Sequence, residues 1–236
     1  MNLTNNMTAR ESLKIAAELM FNAFKDDKHS VDEVWNWIWE RRPAQAHIRL
    51  EVELNNSSNS FKFGLTEKQS NSNNVQFTTE RRLDQQDTLV VNQFAICVGK
   101  VASEDDTLWE PRTYGNIVDF GLVNGAVIDQ TFFSHGWYNL MVNNTNIMPY
   151  RPLKDHHYRG ITQQTAALGA SSPNDQFMGS EDGFVTQESN LLLIGNKGYM
   201  PYINFPTSLA FASAEPGIRA VLDYSGILFQ NSTILS

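Results

Sequence analysis

The chain opens with a helical periodicity and changes to a strand periodicity near residue 47. Leu13, Ala16, Ala17, Met20, Phe21 and Phe24 recur at spacings of three and four, which puts them on one face of a helix. Thr8 and Glu11 stand three residues apart ahead of this run, the spacing of a capping box. Asp26-Asp27-Lys28 ends it. Ser30 and Glu33 form a second box and predict a helix from Val31 to Arg42, with Pro43 just beyond. This second helix carries Trp35, Trp37 and Trp39. At about 100° per residue, Trp35 and Trp39 share a face and Trp37 lies nearly opposite. The pattern predicts one of two arrangements. Either one face caps the body and Trp37 is half exposed, or both faces are covered, the second by a neighbouring subunit.

From His47 the period becomes two. Ile48, Leu50, Val52 and Leu54 alternate with Arg49, Glu51 and Glu53, as in a strand with one buried face. Further strands are expected at Phe61 to Leu65, around Val75-Gln76-Phe77, and at Thr88 to Val101 after the turn Asp84-Gln85-Gln86-Asp87. More follow at Ile117 to Leu122, Phe132 to Val142, Asn190 to Ile194, Tyr199 to Phe205, Ser208 to Ala212 and Ile218 to Phe229. Residues 155–188 have little apolar periodicity and read as a long loop. The expected architecture is mainly β: a jelly-roll-type antiparallel sandwich over residues 46–236, preceded by a two-helix arm over residues 1–45. No repeat of propeller or solenoid length is visible.

Composition narrows the partners. Charged residues make up 19% of the 236, below the roughly 25% usual for soluble domains, while aromatics reach 11%. Interface cores are depleted in charge and enriched in aromatics, so this balance suits a surface covered by partners. The net charge of −8 and the absence of any Lys/Arg run argue against direct nucleic-acid binding. No stretch reaches the ~18 apolar residues that span a bilayer. An amphipathic helix can lie along an internal membrane, but Arg10, Glu11, Lys14 and Glu18 make a mixed polar face that favours protein contact. The single cysteine, Cys97, sits in an apolar strand and reads as an inert buried thiol.

Two stretches carry a resemblance. Thr79-Glu80-Arg81-Arg82-Leu83-Asp84-Gln85-Gln86-Asp87-Thr88-Leu89-Val90-Val91 is similar to a segment of bacteriophage structural proteins, in which a polar turn feeds a buried strand. Ile218-Arg219-Ala220-Val221-Leu222-Asp223-Tyr224-Ser225-Gly226-Ile227-Leu228-Phe229-Gln230-Asn231 resembles the closing strand of jelly-roll capsid proteins from tailless icosahedral phages. Together they cover little more than a tenth of the chain. The resemblance implies a virion shell subunit, assembled in the host cytoplasm as a homo-oligomer that also touches other virion proteins. It leaves single and double rolls open, with the length favouring a single roll with insertions. The mixed α/β capsid fold of tailed phages stays open too, though no long central helix supports it. Phe21, Phe24, Trp35, Trp37, Trp39, Tyr158, Phe177 and Phe184 are the expected subunit-contact residues.

Catalytic readings are weaker. Asp155-His156-His157 has the residue types of a metal-dependent phosphoesterase motif but lacks its upstream aspartate and its βαβ context. His135-Gly136-Trp137 lacks a paired histidine, and Glu181-Asp182 are adjacent, not spaced as the carboxylates of glycoside cleavage must be. No nucleophile elbow or phosphate-binding loop is present. The expectation is therefore no enzyme, no metal and no cofactor. The alternative function is a receptor- or glycan-binding spike or adhesin module, with Trp137, Tyr138 and Tyr150 as the candidate ligand platform.

Overall fold

A computed structural model of the chain describes residues 9–67, 69, 76–101, 111–113, 122–157, 183–211 and 217–233. Two helices come first, α1 (Ala9–Phe24) and α2 (Val31–Glu40). The strands are β1 (Ala44–Glu53), β2 (Ser60–Lys62), β3 (Thr88–Lys100), β4 (Leu122–Val123), β5 (Ala126–Val127), β6 (Trp137–Val142), β7 (Thr145–Pro152), β8 (Val185–Ile194), β9 (Tyr199–Asn204) and β10 (Ile218–Phe229). One four-stranded sheet has the order β1-β10-β3-β8, a second has β2-β9-β6-β7, and β4-β5 form a small hairpin. Every pairing is antiparallel.

The pairings nest. Leaving the β4-β5 hairpin aside, β1 pairs β10, β2 pairs β9, β3 pairs β8 and β6 pairs β7. The chain thus runs out along four strands and back along four, like one long hairpin rolled over itself. The protein is a mainly β sandwich of two antiparallel sheets.

Between the sheets lies the main core. Leu50, Leu222 and Ile96 stand in register across β1, β10 and β3. They face Phe61, Tyr138, Leu140 and Ile203 of the second sheet. Each fully buried side chain of this kind contributes about 1.5–3 kcal/mol. Tyr138 and Tyr224 bridge the layers, their hydroxyl oxygens 2.6 Å apart, so neither phenol is left unsatisfied in the interior. Burial raises the pKa of both.

A bulge explains why β3 reads as continuously apolar. Ser225 pairs with Gln93 but Gly226 with Val91, so Asn92 is an extra residue. Leu89 and Val91 point inward before it, Phe94, Ile96 and Val98 after it. Gly226 permits the close approach, since a Cβ there would lie 2.0 Å from the Val90 carbonyl oxygen.

Several sequence expectations change. The helices cap the sandwich through one face, as one of the two expected arrangements had it: Ala16, Ala17, Met20, Val34, Trp37 and Ile38 bury against Val90, Ile227 and Phe229 on the outer face of the first sheet. The second capping box forms as expected, with the Glu33 amide donating to Ser30 Oγ and the Ser30 amide to Glu33 Oε2. Thr8 of the first lies outside the described residues. Only the second half of Phe132 to Val142 is a strand. Asp129–Phe133 instead make a π-helical turn that buries Phe132 and Phe133 completely. Strand β7 was not anticipated, because Asn144 to Pro152 carries polar residues and two prolines. At Ser208 to Phe211 a single bridge joins Phe211 to Val123 in place of a strand. Residues 117–121 and Ala212 lie outside the described residues.

Candidate functional site

Three surfaces were built from these elements, and their chemistry differs. The first is the outward side of the helix layer. Trp37 is buried against the sheet and Trp39 is 48% exposed, whereas the first of the two expected arrangements left Trp37 half exposed. The reason lies on α2 itself: Val34, Trp37 and Ile38 form its apolar stripe at spacings of three and one. Trp35 is half-buried and stacks on Phe21, with ring centroids 4.8 Å apart and planes 11° from parallel. Phe24 packs on Trp37 at 5.1 Å. Of the predicted contact residues in this layer, only Trp39 therefore presents about half of a large apolar side chain to the outside. Val31, 61% exposed, stands two turns before it.

The second surface is the far end of the same sheet's outer face, which is charged. Glu51 is fully buried, and its carboxylate accepts from Arg49 Nε at 2.9 Å, from Arg219 Nη1 at 3.3 Å and from the Thr79 hydroxyl. Residues 76–83 lie along β1 as a strap. Arg81 exchanges two backbone hydrogen bonds with Arg49, and the Glu51 amide donates to Glu80 Oε1 at 3.1 Å. Arg82 stands 3.4 Å from Glu80, and Arg219 lies over the Phe77 ring. Burial raises the Glu80 carboxyl to about 7. Such a network has two buried carboxylates matched by arginines from three segments, which is what buried charge requires. It reads as the fastening of the strap. Phe184, predicted as a subunit contact, is half-buried and meets the His47 ring edge-on within the same chain.

The third surface is the outer face of the second sheet. Tyr138, Leu140, Pro201 and Ile203 point inward, so Trp137, Asn139, Met141, Met200, Tyr202 and Asn204 point out. Tyr138 therefore leaves the predicted platform: it is fully buried and bonded to Tyr224. Trp137 and Tyr150 remain, stacked with centroids 6.0 Å apart and planes 25° from parallel, and Tyr150 is 63% exposed. Beside them runs a line of side-chain hydrogen bonds that the sequence reading missed. Ser60 Oγ donates to Asn204 Oδ1 at 2.7 Å, Asn204 Nδ2 to Asn139 Oδ1, and Asn139 Nδ2 to Asn146 Oδ1 at 3.4 Å. The line crosses all four strands of the sheet.

No family model, no curated protein and no solved structure matches the chain.

The residues considered for catalysis diverge in space. His156 is fully buried with its ring against Phe94 and is pushed down to about 4 by burial. Asp155 instead pairs with Arg151 at 3.2 Å, and His157 is exposed beside the Phe133 ring. Among the described residues no group of three His, Cys, Asp or Glu side chains could hold a metal ion. Burial pushes the Cys97 thiol up to about 12, so it stays protonated at neutral pH. Tyr158, Phe177, Glu181 and Asp182 lie outside the described residues.

Proposed function

We propose that the chain is a structural subunit of a virion shell, a single jelly roll that acts by self-assembly and by contacts with neighbouring shell proteins. One observation carries the reading. The eight strands of the two sheets, numbered in chain order, pair first with last, second with seventh, third with sixth and fourth with fifth. Nested pairing of this kind supports the reading as a jelly roll, an architecture used by capsid and lectin domains and by cupins. A cupin keeps a cavity for its metal inside the roll. In this chain Phe94, Phe132, Phe133, Tyr138, Leu140 and Tyr224 are buried together in the core between the sheets. The reading therefore rests on the outside of the fold, where a subunit would meet its neighbours. The two sequence stretches that resemble phage structural proteins form the strap with the start of β3, and β10.

Trp39 is the residue best placed to anchor a neighbour, because a large apolar ring left half in water gains most from being covered. Closed symmetry then sums many such modest contacts. The test is the mass of the purified protein by light scattering, over a range of concentration and salt. Capsomer-sized oligomers or closed particles are expected, shifting to smaller species in Trp39→Ser. A wild-type monomer under all conditions would overturn the proposal.

A further inference from the structure

The outer face of the second sheet has features that shell assembly does not require. We infer that it is a binding site for a neutral carbohydrate, with Trp137 and Tyr150 as the stacking surface and Asn139, Asn146 and Asn204 as the hydroxyl-reading groups.

The argument begins with what the face lacks. On its strands the charged side chains are Lys62 and Arg151, and Arg151 is paired with Asp155 at 3.2 Å, in a chain whose net charge is −8. A face without a basic row offers nothing to a phosphate backbone or an anionic membrane. Without acidic groups it offers little to a basic peptide. A fifth strand is also disfavoured at the β7 edge: Pro149 and Pro152 have no N–H to give, which blunts backbone pairing. Met141, Met200 and the exposed Ile147 add apolar surface, and the groups with directional chemistry are of two kinds, aromatic rings and primary amides.

Those two kinds match the two surfaces of a sugar. A pyranose presents a patch of C–H bonds that packs on an aromatic face, and an edge of vicinal hydroxyls that both donate and accept. A primary amide does the same, with two N–H donors and two carbonyl lone pairs. The line from Ser60 to Asn146 uses only part of that capacity. Asn139 spends one N–H on Asn146 and one lone pair on Asn204, and keeps the others. The mutual bonds fix each amide's orientation before a ligand arrives, so little rotamer freedom is lost on binding. Trp137 and Tyr150, held against each other, are equally preorganised. Both sets lie on β-strands of one rigid sheet, within one patch. An assembly contact would favour apolar side chains here, yet the centre of the patch is a row of amides.

This inference does not depend on the shell proposal, since a monomer could bind as well. The experiment is a titration of the full chain, followed by its tryptophan fluorescence and by NMR. The probes are neutral oligosaccharides built of glucose, galactose, mannose or N-acetylglucosamine, with heparin as an anionic control. At least one neutral probe should saturate in the millimolar range or below. Tyr150→Ala and Asn139→Ala should each weaken it by about tenfold or more, the loss of one good contact, while Lys14→Ala at an exposed site on α1 leaves it unchanged. Tyr150→Phe separates stacking from the hydroxyl and should retain most of the affinity. Failure of every neutral probe, binding indifferent to both Tyr150→Ala and Asn139→Ala, or preference for heparin would each overturn the inference.

Discussion

The two sheets of this sandwich have outer faces that meet water in opposite ways. The first is covered by its own chain. At one end α1 and α2 bury Val90, Ile227 and Phe229, and at the other residues 76–83 fasten over Glu51 and Arg219. The second carries aromatic rings and amides that no helix among the described residues covers. The difference follows from composition. Apolar residues and buried carboxylates on a sheet are unfavourable in isolation, so the fold must supply a partner from the same chain. Amides and half-exposed rings are tolerated by water and can wait for a partner from elsewhere. A face closed by the chain is structural, and a face left open is where recognition is to be sought.

If that contrast holds, the largest effect of a single truncation falls under the helices. Trp37→Ala should destabilise the fold by about 3–5 kcal/mol, the usual cost of deleting a large buried aromatic. The ring sits between Phe24 and the sheet with the Arg41 guanidinium over it, and nothing nearby can collapse into the space without moving α2. Equilibrium denaturation would read it as a lower midpoint. A loss under about 1 kcal/mol would mean that the helix layer is loosely held and that the first face is not closed in solution.

The strap gives a sharper test through pH. Burial holds the Glu80 carboxyl at about 7 against an ordinary 4.5, with the charges of Arg82 and Glu51 facing it. The folded state then binds a proton that the unfolded chain has released. Stability from this group is fully present below 4.5 and is lost as pH rises through about 7, with a slope of at most about 1.4 kcal/mol per pH unit. His156 runs the other way. Its folded pKa is depressed from 6.5 to about 4, so its contribution is present above 6.5 and lost as pH falls. Wild-type stability alone mixes the two, and the comparison with Glu80→Gln separates them. As pH rises from about 4.5 to 7 the wild type should lose stability relative to the variant, which keeps the His156 loss on the acid side. Identical profiles for both proteins would show that the strap does not bury its carboxylate.

How much of this was legible beforehand depends on the distance between partners along the chain. The Ser30–Glu33 box and the alternation from Ile48 to Leu54 are local, and both were read correctly from spacing alone. The choice between Trp37 and Trp39 was not, because three tryptophans on two faces leave the decision to whatever the helix packs against. The turn at Asp129–Phe133 was hidden because two adjacent buried phenylalanines fit a strand core as well as a helical turn. The amide line is the clearest failure. Asn204 and Asn139 stand 65 residues apart and Glu51 and Arg219 stand 168 apart, so no window of sequence contains either pair. A trace was present: Asn139 and Asn204 each fall between inward-facing residues, Tyr138 and Leu140, Ile203 and Phe205. Alternation put them outside the core, but the strand order put them together.

The smallest expected effect is the one that most directly tests the open face. Tyr150 touches Trp137 and otherwise faces solvent, so Tyr150→Ala should change stability by no more than about 0.5 kcal/mol. Asn139→Ala removes a donor and an acceptor from a half-buried row and should cost about 1 kcal/mol, since water can replace part of what is lost. Both are read as shifts in denaturation midpoint at unchanged slope. The pair matters more than either value. A protein that holds two aromatics and a row of oriented amides on its surface with almost no dependence of stability on them is using them for something other than folding. Should Tyr150→Ala instead cost as much as Trp37→Ala, the second face is closed by its own chain after all, and the contrast between the two sheets disappears.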